Sequence, residues 1–126
     1  MKKLYIGLII LGVIGLFLIY ASLSYKSVNA VKTFSLTGEN FKFTLDGVDN
    51  PDIVVNKGDT VRIEFKSVGG FHDWKVDEFG ASTSQVRDTE GPTSVEFVAD
   101  KAGTFEYYCS VGQHRANGMR GNLIVN

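Results

Sequence analysis

The stretch TVRIEFKS, residues 60–67, sets Val61, Ile63 and Phe65 against Arg62, Glu64 and Lys66. A period of two puts all three apolar side chains on one face of an extended chain and all three charges on the other. The same chain wound as a helix would scatter both sets around the cylinder. Val95 and Phe97 oppose Ser94 and Glu96 in the same way. From Lys32 onward no stretch carries a helical period. Short β-rich runs recur instead, at Thr33–Thr37, Phe41–Leu45, Asp52–Val55, Thr60–Ser67, Asp73–Asp77, Ser94–Val98, Gly103–Cys109 and Gly121–Val125. Between them lie turn formers such as Gly38-Glu39-Asn40, Asp46-Gly47, Asn50-Pro51, Gly69-Gly70 and Gly91-Pro92. Strands at this spacing predict an all-β sandwich or barrel. Gln85 to Pro92 is the least regular part and is expected to hold a turn or a short helix. A body of roughly 95 residues buries a core of its own without disulfides.

The sequence divides into an N-terminal segment, residues 1–30, and a β domain, residues 31–126. Lys2 and Lys3 precede an uncharged run from Leu4 to Tyr25. About 20 apolar residues span a bilayer as a helix, and basic residues ahead of the run hold its start in the cytoplasm. The run predicts a retained transmembrane anchor; the competing reading is a signal peptide cleaved after Val28-Asn29-Ala30. Either places the β domain outside the cytoplasmic membrane: on its outer face if anchored by Leu4–Tyr25, secreted or periplasmic if cleaved after Ala30. Residues 31–126 carry ten Lys and Arg against 14 acids, a net −4. That balance lacks the basic stripe of a nucleic-acid binder.

Cys109 is the only cysteine, so no internal disulfide forms. It is a buried free thiol, a reactive thiol, an intermolecular bridge or a metal ligand. Its surroundings bear on the choice. The segment YYCSVGQHRANGMRG holds Cys109, His114 and Met119, the last being the only methionine besides the initiator. The second histidine, His72, lies in GGFHDWKVDEFG. Two imidazoles, one thiolate and a thioether form a soft donor set that selects copper, with zinc as the nearest rival. Two His and one Cys in a plane with a long axial Met describe the blue-copper electron-transfer site. GTFEYYC reads as a strand delivering Cys109 at its end, SVGQHRANGM as a loop and MRGNLIVN as the start of a last strand.

These residues carry a family resemblance. Through FHDWKVDEFG, DKAGTFEYYCSVGQH and GMRGNLIVN, the chain from about Phe34 to Asn126 resembles the cupredoxins of the plastocyanin/azurin superfamily, especially small membrane-anchored plastocyanin-like proteins of archaea and bacteria. The resemblance implies an eight-stranded Greek-key β-sandwich with one type 1 copper ion at one end. It makes His72, Cys109 and His114 the equatorial ligands and Met119 the axial one. Asp73 stands after the first ligand, where the family usually has Asn or Ser; the residue there ties the two ligand loops together, and Ser110 would be its partner. A carboxylate beside the thiolate is expected to favour Cu(II) and lower the potential. Four residues separate Cys109 from His114, where plant plastocyanins have two, a spacing nearer to azurin-like and auracyanin-like loops.

Taken singly, each of these residues has a plainer reading: Cys109 a small buried hydrophobe, Met119 core filler, either histidine a surface or core residue. A Cys–His catalytic pair oriented by Asp73 is the enzyme alternative, but it leaves Met119 without a role and needs a substrate cleft that a small sandwich rarely has. The expected function is therefore a monomeric type 1 copper electron carrier, not an enzyme, cycling between Cu(II) and Cu(I) and serving extracytoplasmic redox partner proteins. The alternative is a cupredoxin whose open copper site reacts with a small nitrogen oxide or oxygen. His114 is the expected electron port, with Val111, Gly112, Ala116 and Gly118 flattening the tip and Arg115 and Arg120 steering an acidic partner. Trp74 is expected on the His72 side, beneath the site, and of Tyr107 and Tyr108 one is expected in the core and one at the surface.

Overall fold

The structure is a computed structural model that describes residues 31–126. The expected anchor, Leu4–Tyr25, and the cleavage point after Ala30 lie outside the described residues. Among those described, no helix is long and apolar enough to cross a membrane.

Twelve strands run in the order β1 (Val31–Glu39), β2 (Lys42–Leu45), β3 (Val48–Asp49), β4 (Ile53–Val55), β5 (Thr60–Ser67), β6 (Phe71–His72), β7 (Lys75–Val76), β8 (Ala81–Ser82), β9 (Val86–Arg87), β10 (Thr93–Val98), β11 (Gly103–Tyr108) and β12 (Arg120–Val125). One five-stranded sheet has the order β10-β5-β1-β2-β3 and the other β4-β12-β11-β7-β8, while β6 and β9 form a separate ribbon. β1 lies parallel to β5, from Val31 opposite Thr60 to Gly38 opposite Ser67, and β12 lies parallel to β4. The remaining ladders are antiparallel. Parallel neighbours need a crossover, so the chain passes repeatedly between the two sheets. The result is the all-β Greek-key sandwich of the cupredoxins.

Each of the eight β-rich runs carries a strand, and TVRIEFKS is strand over its whole length. Val61, Ile63 and Phe65 are fully buried, and their charged neighbours lie on the outer face. There Arg62 bridges Glu64 at 3.2 Å and Glu96 at 3.1 Å, exposed pairs that contribute little to stability. Of the five two-residue strands, β7 falls within the Asp73–Asp77 run, while β3, β6, β8 and β9 lie outside every predicted run. A two-residue strand has no period to read; its pairing comes from the neighbour it meets. Gln85 to Pro92 holds β9 and a turn, without a helix. Gly38 and Glu39 belong to β1 rather than to a turn: Gly38 pairs with Phe43 of β2 and Ser67 of β5, and Glu39 pairs with Lys42 of β2.

The core lies between the sheets and is strongly aromatic. Trp74 stacks on Phe97 and on Tyr107, and Phe43 meets Phe65 and Tyr107 edge-on. Strand structure breaks after His72, and His72, Asp73 and Trp74 are all buried. Trp74 is core, and its ring partners are other core rings. Tyr107 and Tyr108 do not divide between core and surface, since both are buried. Tyr108 is covered by the Arg115 guanidinium, 3.8 Å above its ring, and its hydroxyl donates to Asp77 at 2.8 Å. Tyr107 crosses to the far side of β12 and donates to the Pro51 carbonyl at 2.5 Å. Gly121 makes that route open, because a Cβ there would overlap the Tyr107 ring and hydroxyl.

Candidate metal centre

One end of the sandwich gathers His72, Cys109 and His114 from two separate parts of the chain. His72 closes β6, Cys109 follows directly on β11, and His114 sits in the loop between β11 and β12. The loop is fixed by its own backbone. The Met119 amide donates to the His114 carbonyl at 3.0 Å, the Cys109 amide to the Met119 carbonyl at 3.1 Å, and the His114 amide to the Val111 carbonyl at 3.0 Å. These bonds hold Cys109, His114 and Met119 together before any ion is considered.

The donor atoms converge. His72 Nδ1 is 3.1 Å from His114 Nδ1 and 3.8 Å from Cys109 Sγ, and Cys109 Sγ is 3.5 Å from His114 Nδ1. The point equidistant from all three lies about 2.0 Å from each, which is the length of a metal–imidazole bond and slightly short of a metal–thiolate bond at about 2.3 Å. A metal ion at that point would take a lone pair from each of the three atoms. Their spacing and donor type therefore fit one transition-metal ion.

The protonation pattern agrees with this. His72 Nε2–H donates to the Gly69 carbonyl at 2.7 Å, which leaves the Nδ1 lone pair for the centre. Gly70 permits the arrangement: its φ is +87°, and a Cβ on it would approach His72 Nε2 to 3.2 Å. Burial, with His72 nearby, lowers the tendency of His114 to take a proton. Burial also pushes the Cys109 thiol up, while the backbone amides of Asp73 and Val111, which face the sulfur, pull it the other way. Those amides stabilise a thiolate once a metal has displaced the proton.

Asp73 is buried and joins the two ligand-bearing segments. Its Oδ1 accepts the Ser110 amide at 2.6 Å and its Oδ2 accepts the Ser110 hydroxyl at 2.5 Å. Met119 is fully buried, and its methyl end lies where a Cβ on Gly38 would stand, at 3.0 Å. Gly38 thus leaves room for both Met119 and the Phe65 ring. Arg115 Nε donates to Glu106 at 2.6 Å while its guanidinium covers Tyr108. Arg120 is exposed.

Two further residues act here without having stood out as site residues in the sequence. Asn50, within an apparent turn pair, donates from Nδ2 to the Gly118 carbonyl at 3.1 Å and accepts the Phe43 amide on Oδ1 at 2.9 Å. It braces the hairpin against the residue before Met119, a contact across 68 positions that has no local signal. Phe41 meets the His114 ring edge-on at 5.1 Å.

No protein-family profile matches the chain, and no curated protein does so. Solved structures do match. Auracyanin A, a blue copper protein from Chloroflexus aurantiacus, is 23% identical over 76% of this chain and 99% of its own, with a TM-score of 0.62. Rusticyanin from Thiobacillus ferrooxidans is 23% identical over 76% of this chain and 77% of its own, with a TM-score of 0.64. A copper nitrite reductase from Nitrosomonas europaea is 23% identical over 76% of this chain but only 41% of its own, also at 0.64. The likeness establishes the cupredoxin fold.

Proposed function

We propose that this protein is a type 1 copper electron carrier. The observation that carries the reading is the triangle of His72 Nδ1, Cys109 Sγ and His114 Nδ1, whose centre is one bond length from every corner. Soft sulfur beside two imidazoles favours copper over harder ions. Met119, buried and tied by its backbone to both Cys109 and His114, is the proposed axial ligand. Bound copper would supply a one-electron couple. The chain's own contribution is to hold the donors still: the His72 ring is pinned at Gly69, the Cys109 loop is tied to Asp73, and the His114 loop is closed by backbone bonds. A site whose ligands move little between two oxidation states exchanges electrons readily. Auracyanin A, which shares the fold, is itself described as a blue copper protein.

The electron is proposed to pass at the His114 end, and the partners to be extracytoplasmic redox proteins. The Lys2-Lys3 pair and the apolar run after it motivate placement on the outer face of the cytoplasmic membrane. The second reading, reaction of an open copper site with a small nitrogen oxide or oxygen, draws on a cleft of about 350 Å³ that reaches both imidazoles.

The test is to load the full chain with Cu(II) and record visible and EPR spectra. An intense thiolate-to-copper band is expected; its absence sinks the reading. Cys109→Ser should abolish the band, and Met119→Leu should keep copper while raising the potential. Azide or nitrite that shifts the wild-type spectrum would favour the reactive site over the carrier.

A further inference from the structure

The first sheet contains two tight hairpins whose second central residues differ in kind. β2 and β3 are joined by Asp46-Gly47, with φ of +49° and +80°, and Leu45 pairs with Val48. β1 and β2 are joined by Asn40-Phe41, with φ of +49° and +59°, and Glu39 pairs with Lys42. Two-residue turns of this kind need both central residues in the left-handed region, which is why Asn-Gly and Asp-Gly dominate them. Phenylalanine is a poor choice there, since its Cβ crowds the backbone. The strain is not explained by core burial, because Phe41 is 44% exposed. A strained aromatic kept at the surface calls for a function of its side chain.

The ring shows where that function lies. It packs edge-on against His114, with an interplanar angle of 74°. It also walls the cleft that leads to His72 and His114, whose other sides include Gly69, Gly70, Phe71 and Val111. The two glycines add no bulk. His114 Nδ1 is turned inward to His72 and Cys109, while Phe41 packs against the same ring.

We propose that Phe41 is a specificity-determining gate: its ring narrows the cleft beside His114 and hinders small anions such as azide or nitrite from reaching the metal side. The inference rests on the reading of His114 as a copper ligand, and it assigns to Phe41 the role of keeping an electron carrier from becoming a reactive centre. Glycine at this position would relieve the backbone and open the cleft in one step.

The experiment compares wild type, Phe41→Gly and Phe41→Tyr, each as the full chain. In metal-free protein, the rate of acylation by diethyl pyrocarbonate is followed at each histidine by mass spectrometry. His114 should react at least fivefold faster in Phe41→Gly, while buried His72 is unchanged and Phe41→Tyr behaves as wild type. Equal His114 rates in all three would overturn the gate, whatever copper does. In copper-loaded protein, azide should perturb the visible spectrum of Phe41→Gly and leave wild type and Phe41→Tyr unaltered; azide indifference in Phe41→Gly also overturns it. Failure of wild type to form the thiolate-to-copper band counts against the copper reading, and the metal-free rates still decide whether Phe41 hinders access to His114. Thermal unfolding of Phe41→Gly at or above the wild-type temperature is expected from the relieved turn and separates opening of the cleft from loss of the fold.

Discussion

Replacing Asn50 by Asp changes one NH₂ to an oxygen and almost nothing else. Oδ1 still accepts the Phe43 amide at 2.9 Å, and Asp tolerates the φ of +44° as Asn does. What is lost is the Nδ2–H donated to the Gly118 carbonyl at 3.1 Å. The bond itself is worth about 1 kcal/mol net, and setting two oxygens face to face adds about 1 kcal/mol more. The expected loss is about 2 kcal/mol, or about 10 °C in melting temperature for a domain of this size. The penalty has a pH signature. A neutral carboxyl can donate to Gly118 where a carboxylate cannot, so the introduced group holds its proton more tightly in the folded chain than in the unfolded one. A raised folded pKa means that stability is present below the unfolded pKa, about 3.9, and is lost as pH rises through the folded value. The gap between Asn50→Asp and wild type should therefore be full at pH 7 and shrink toward pH 4. Urea titration of metal-free protein at several pH values measures it. A gap under about 0.3 kcal/mol at pH 7, or one indifferent to pH, would refute the argument that Asn50 braces the Gly118–Met119 segment.

Other perturbations probe different parts of the centre. Asp73→Asn keeps acceptors and donors for Ser110 but removes the formal charge beside the thiolate; the reduction potential should rise, on the scale of about 60 mV, a tenfold shift in a one-electron equilibrium, and voltammetry showing no rise would discard the electrostatic role. Gly121→Ala forces the Tyr107 ring aside and breaks its bond to Pro51, so a loss of about 2–4 kcal/mol from overpacking plus the hydrogen bond is expected in chemical denaturation. The metal-free protein should lose stability as pH falls below the ordinary His value of about 6.5, because the unfolded chain takes up a proton at His114 before the folded one does; the loss is complete once pH passes the lowered folded value. Copper loading at neutral pH should release a proton from Cys109, whose thiol is held protonated by burial, and calorimetry in buffers of different ionisation heat would show whether it does.

The alternating runs were legible because their period states which side chains face the core, and TVRIEFKS needed nothing else. The donors His72, Cys109 and His114 were legible for another reason: scarce residue types at set intervals around a strand end. Asn50 and Phe41 escaped because each acts through a contact made only after folding, and each resembles an ordinary turn residue. Trp74 is buried, but the strand ends at His72 and the buried Asp73 lies between them, so simple alternation does not describe this stretch. Gly38 and Gly121 read as turn or strand punctuation, although their use is to leave space for Met119, Phe65 and Tyr107.

β12 is an interior strand of its sheet, paired with β4 on one side and β11 on the other. It also ends the loop in which Met119 accepts the Cys109 amide. A chain in which Arg120–Val125 has not yet docked leaves β4 and β11 unbridged and lacks the backbone bond that fixes Cys109 against Met119. Assembly of the centre thus requires β12 to be docked, and capture of a metal ion reports that the second sheet has closed. A chain with β12 undocked would present a loose thiol instead of a chelating triangle, so metal retention discriminates closed molecules from open ones.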